Sequence, residues 1–155
     1  MTALLVSPQT SLGYLSGGED HFSQVQRGNI FGQTGVDLYR TDRPAYGENG
    51  TYGAYIYNAE LQRIISEYGS AVEQEGGGSG GKPLFIYCAL QDQHAPNQVT
   101  PEFQALFSSS MYTSQYAIYN GMGSAADSVF GNATRALKQH AGLWENTLVI
   151  VSSDK

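Results

Sequence analysis

The chain has 155 residues, 41% of them hydrophobic and 12% aromatic: the length of one domain, with enough apolar material to fill a core and rule out wholesale disorder. Its net charge of -6 leaves no basic face to neutralise phosphates, which argues against nucleic acid and anionic membranes as partners, whereas cations would be attracted. The single cysteine, Cys88, excludes an internal disulfide, and no stretch approaches the roughly 20 apolar residues of a transmembrane helix.

Residues 1–10 form an unassigned segment, too short and without the basic start of a signal peptide. Residues 11–50 are rich in Gly, Ser, Asp and Asn without a sustained period, which predicts mostly loop, pinned by Tyr14, Phe22 and Tyr39. Between Tyr52 and Tyr68 the spacing of Leu61, Ile64, Ile65 and Tyr68 predicts an amphipathic helix, with Gly69 placed as its cap. The Gly-Gly-Gly-Ser-Gly-Gly run at 76–81 is read as a flexible surface loop, because a phosphate cradle needs a helix after it and a strand follows instead.

Leu84 to Leu90 is continuously apolar, as a parallel strand covered on both faces would be. Thr100-Pro101-Glu102 reads as N-cap, N1 and N2 of a short helix. Helical spacing returns between Ser114 and His140, clearest at Val129, Phe130, Ala133 and Leu137. Within it Gly121 and Gly123 mark a break or a close packing contact, and Ser124 to Asp127 fits a capping box at a restart. Gly142 is placed to end that helix before a second buried strand, Leu148 to Val151. Strand, long helix and strand predict a right-handed parallel crossover, hence an α/β class with helices on a mostly parallel sheet. Two such strands cannot complete a sheet, so the chain reads as an excerpt of a larger domain.

His94 lies four residues beyond the first strand, close to Asp92 and followed by Ala95-Pro96, which restricts the backbone. As a turn residue it would bond Asp92; as a site residue its imidazole would donate to an anion or act as a general acid. Position alone leaves both readings open. His21, in a polar loop, and His140, where it meets a helix dipole, are weaker candidates. Asp154, at the end of the second strand, is equally a ligand for a hard divalent cation or an ordinary strand-end acid. Lys155 has donors and no acceptor, so it cannot assist there. Asp127 suits a cap; Glu19, Asp20, Glu73 and Glu75 read as solvated charges, and Cys88 as a small buried thiol. The sequons Asn49-Gly50-Thr51 and Asn132-Ala133-Thr134 favour the secretory route. With no serine elbow and no metal-spaced histidine pair, spacing yields only an anion or metal site at a sheet edge.

Four segments in order resemble the sulfatase family, most closely its arylsulfatase B-like (N-acetylgalactosamine-4-sulfatase-like) branch. They are Gly13-Tyr14-Leu15-Ser16-Gly17-Gly18-Glu19-Asp20, Lys82 to Pro96, Gly131 to Lys138, and Gly142 to Thr147 leading into Ser152-Ser153-Asp154. The resemblance implies that residues 11–155 are a fragment of a sulfatase catalytic domain with a partial alkaline-phosphatase-like fold. It implies calcium-dependent hydrolysis of sulfate esters, with sulfated carbohydrate among the substrates and a lysosomal or extracellular location. His94 matches the histidine that contacts the substrate sulfate, Asp154 matches a calcium-binding aspartate, and Asn132 is the candidate glycan acceptor.

The departures are as specific. The family's cysteine-x-proline-x-arginine motif, whose cysteine becomes the formylglycine nucleophile, is absent, and Cys88-Ala89-Leu90-Gln91 cannot replace it. The lysine and histidine expected upstream of Gly13 and the earlier metal aspartates are missing. Lys155 stands where the family has asparagine; a unit charge about 4 Å from a divalent ion is repelled by roughly 8 kcal/mol at an effective dielectric of 20. Lys155 is also the last residue, so a truncated reading frame explains it equally. The resemblance therefore implies a fragment inactive by itself, or alternatively a non-catalytic module that binds sulfated sugar or a partner protein.

Overall fold

The computed structural model describes residues 2–6, 10–26, 34–74, 82–107 and 113–153. In chain order its elements are β1 (Thr2–Val6), β2 (Thr10–Tyr14), β3 (Val25–Gln26), β4 (Gly35–Val36), β5 (Leu38–Arg40), β6 (Arg43–Pro44), α1 (Gly53–Gln74), β7 (Ile86–Cys88), α2 (Pro101–Ala105) and α3 (Ser114–Gln139). Two long helices, α1 and α3, pack together and carry most of the core. α1 buries Ile56, Tyr57, Leu61, Ile64 and Ile65, one stripe at the helical period. That stripe meets Leu12 and Leu38 of the sheet and Ala125 and Val129 of α3. A smaller cluster joins Ile65 to Ala136 and Leu137, with Leu143 and Trp144 against it.

The helix expected to stop at Gly69 runs on to Gln74. Gly69 is instead a packing position: a Cβ there would overlap the imidazole of His140 at the end of α3. α3 is likewise unbroken, so neither a break at Gly121 nor a restart at Ser124 occurs. The close-contact reading is the one that fits, because a Cβ on Gly121 would lie 3.1 Å from the Phe103 backbone. α3 starts at Thr113, whose side chain accepts from the Tyr116 amide at 3.2 Å. α2 begins as expected with Thr100 as N-cap and Pro101 in its first turn, although the Thr100 side chain makes no capping bond.

Five strands form one sheet in the order β6-β5-β2-β1-β7, and β3 and β4 make a separate pair. Every pairing among the described residues is antiparallel, with Leu4 opposite both Leu12 and Cys88, and Tyr14 opposite Leu38. β1 lies within the unassigned first ten residues, and the stretch read as mostly loop at 11–50 carries five short strands among its described residues. These are two to five residues long, shorter than the window over which a period can be recognised, and their neighbours hold them.

The parallel strand expected over 84–90 is reduced to β7, antiparallel to β1. Its burial alternates: Ile86 and Cys88 face the core, whereas Phe85 and Tyr87 are exposed. An apolar run that looks covered on both faces is covered on one, because composition specifies neither partner nor direction. Residues 147–151 join no strand, and Leu148 is 84% exposed, so no parallel crossover is present among the described residues.

Candidate functional site

The turn after β7 is built from polar side chains that reach inward. Gln91 is buried and donates from Nε2 to the Glu19 carbonyl at 2.9 Å, in a space left by the missing side chain of Gly53. Gln93 adopts a left-handed φ of 64°, and the His94 amide then closes the turn on the Gln91 carbonyl at 3.3 Å. The Tyr52 hydroxyl lies 3.0 Å from Asp92 Oδ1 and 3.1 Å from the Gln98 carbonyl. Asp92 is thus engaged by Tyr52 rather than by His94. Burial pushes the Asp92 carboxyl up to about 6, the Tyr52 bond opposing it.

His94 itself is exposed at the tip. Its Nδ1 is 2.8 Å from the Ala95 carbonyl, which can only accept, so Nδ1 carries the proton. Gln93 beside it leans on α3, where the absent side chain of Gly123 leaves room for its amide.

The second wall is the loop from Glu19 to Gln24, and it overturns the reading of Glu19 and Asp20 as solvated. Glu19 is fully buried, with neither carboxylate oxygen hydrogen-bonded. Burial first, then Asp37 and Asp20, pushes its carboxyl up to about 8. Burial acts on Asp20 in the same sense. There it is outweighed by donors from Gln98 Nε2 at 2.8 Å, the Ser23 amide and hydroxyl at 2.8 and 2.9 Å, and the Phe22 amide, which hold that carboxyl at about 2. His21 is fully buried and stacked on Tyr52, ring centroids 5.9 Å apart. Its amide donates to Gln98 Oε1 at 2.8 Å, and its Nε2 lies 3.3 Å from the His94 carbonyl. Burial lowers its pKa, while the bond to His94 and the charge of Asp20 oppose that shift.

The remaining candidates lie elsewhere. His140 caps α3 and pairs with Glu73 at 3.1 Å, so Glu73 is also engaged rather than simply solvated. Asp127 is exposed in the interior of α3, where it caps nothing. Asn132 is half-buried on α3 with its side-chain oxygen bonded by Arg135, and Asn49 sits exposed in a turn. Burial, then Asp92, pushes the Cys88 thiol up to about 11, consistent with a structural thiol. Asp154, Lys155, Glu75 and the glycine run at 76–81 lie outside the described residues. Among the described residues no three His, Cys, Asp or Glu side chains are grouped to hold a metal ion.

Of the residues that surround His94, the sequence offered His21 only as a weaker candidate and Glu19 only as a solvated charge, and it gave no role to Tyr52, Gln91 or Gln98. The available signal was indirect: two glutamines bracket His94, and Tyr52 immediately precedes a helix.

The sulfatase family model matches residues 19–155. Over 146 residues the chain is 30% identical to arylsulfatase J of Mus musculus, an alignment that takes in 94% of this chain. The chain spans 22% of that relative's length. A sulfatase domain implies an alkaline-phosphatase-like α/β fold; the described residues themselves form helices and antiparallel strands.

Proposed function

The chain belongs to the sulfatase family, and from that membership we propose that it is part of a sulfuric ester hydrolase in which His94 contacts the substrate sulfate. The observation that carries the reading is the placement of His94, exposed on a built turn at the end of β7, inside the matched region. With Nδ1–H given to the Ala95 carbonyl, Nε2 can donate to an anion only if the ring gains a second proton.

The substrate class is a sulfate ester, sulfated carbohydrate included, met in a lysosomal or extracellular setting, and Asn132 is the glycan acceptor. Asp154 is assigned to calcium; a carboxylate suits this hard cation, which when bound would supply positive charge to an anionic substrate. No step is assigned to the ion, because the described residues offer no ligand cluster to accompany Asp154. The exposed segment 147–151 is read as a strand of the whole domain's mostly parallel sheet.

These 155 residues contain no cysteine-x-proline-x-arginine motif, and the Cys88 thiol is held protonated. By itself the chain is therefore expected not to turn over sulfate esters. The second reading is a non-catalytic module that binds sulfated sugar or a partner protein.

Titration of the chain with inorganic sulfate, followed at the histidine ring resonances, tests the contact. The His94 ring should respond; an indifferent ring sinks the assignment. Calcium-dependent hydrolysis of an aryl sulfate by the purified chain would refute the inactivity.

A further inference from the structure

His94 is at the tip of the turn, but much of what shapes that turn comes from three consecutive residues 72 to 78 positions away in sequence. The Glu19 carbonyl accepts from Gln91, the Asp20 carboxylate accepts from Gln98, and His21 contacts the turn twice, through its amide and its ring. Only the ring contact ends on His94 itself.

From this geometry we infer that His21 is a positioning residue: its buried imidazole holds the His94 carbonyl and thereby sets where the exposed His94 ring is presented. The inference rests on the reading of His94 as the sulfate contact.

The chemistry fixes the state of the ring. A carbonyl offers no proton, so His21 Nε2 must carry one. Nδ1 is buried without a partner. A second proton there would leave an N–H with no acceptor and a charge out of water, so the ring is the neutral Nε2–H form. The surroundings also fix its direction. Stacking on Tyr52 sets the ring plane, and the Gln24 side chain donates to the His21 carbonyl at 2.9 Å, as does the Gly53 amide at 2.8 Å. With its backbone anchored on both sides and its plane set by an aromatic face, the ring has little freedom to release the His94 carbonyl.

The distinguishing substitutions are His21→Phe, which keeps a ring against Tyr52 and removes the donor, and His21→Gln, whose amide can place a donor near the position of Nε2. Nitrogen-15 spectra of the full chain report the tautomer, amide exchange reports the order of the turn, and inorganic sulfate reports on the His94 ring. His21 in the parent should be neutral with the proton on Nε2. His21→Phe should speed exchange of the His94 amide roughly five- to tenfold, as loss of one hydrogen bond implies, and weaken the sulfate response of the His94 ring. His21→Gln should restore both.

Unchanged exchange and sulfate response in His21→Phe overturn the inference, and so does failure of His21→Gln to recover either one. Should His21→Phe not fold, the parent decides: a proton on Nδ1, or a charged ring at neutral pH, overturns it. If sulfate leaves the His94 ring of the parent unmoved while the exchange results hold, the sulfate reading fails and the positioning of the turn by His21 stands.

Discussion

Glu19, His21 and Gln91 are at most 2% exposed, whereas Leu148, Ile150 and Val151 are at least 67% exposed. The first group could have been solvated and the second could have filled a core, yet the fold places them the other way. The polar group is enclosed because two loops bind each other: Gln91 to the Glu19 carbonyl, Gln98 to Asp20, and His21 to both Gln98 and the His94 carbonyl. Those hydrogen bonds offset part of the desolvation that burying such groups costs, although neither carboxylate oxygen of Glu19 has a partner. The apolar segment has no such neighbour among the described residues. Hydrophobicity expresses what a residue gains by burial, whereas the available partners determine whether that gain is realised.

The sharpest way to break this contrast is to remove the aromatic floor of the polar group. Tyr52 is buried against His21, Phe22 and Tyr55 and holds Asp92. Tyr52→Ala is expected to cost about 3–5 kcal/mol, read from denaturant unfolding followed by circular dichroism. A loss under about 1 kcal/mol would show that the two loops hold together without it.

Glu19→Gln should act in the opposite direction. Its folded-state pKa of about 8 is above the ordinary 4.5, so native Glu19 retains a proton that the unfolded chain has given up. The stability this confers is complete below about pH 4.5 and is lost as pH rises through about 8. Glutamine has no such titration, so Glu19→Gln should gain about 1–3 kcal/mol at pH 7 and flatten the fall in stability toward alkaline pH. Melting curves across that range check both, and a destabilised variant with an unaltered pH profile would mean that Glu19 is ionised and paired.

The smallest effect is expected at the other pole. Leu148→Lys with Ile150→Lys should alter unfolding free energy by no more than about 0.5 kcal/mol, because neither side chain leaves a packed environment. A large loss in chemical denaturation would place that segment in a core after all. Sedimentation in the same experiment should show less self-association, since an exposed apolar strip of this kind invites it.

How far the fold was legible follows the same division. The buried stripe at Leu61, Ile64 and Ile65 and the long helix through Val129 and Leu137 repeat over several turns, so their period was readable. The proline at the first position of α2 was readable because proline suits it stereochemically. Strand direction was not: nothing within Leu84 to Leu90 states that β1 will lie beside it and run the other way. At the site, the placement of His94 after a strand was visible, but its supports were not. Glu19 and His21 approach it only through contacts across more than 70 residues, and no local pattern marks a glutamate for burial.

Because α3 has no side chain at Gly123, the amide of Gln93 rests against the helix surface, one residue before His94. α3 is therefore a backstop for the turn. A bulkier residue at 123 would push on Gln93 from outside the polar network, so the height of the His94 tip depends on the seating of a helix that carries none of the site's side chains.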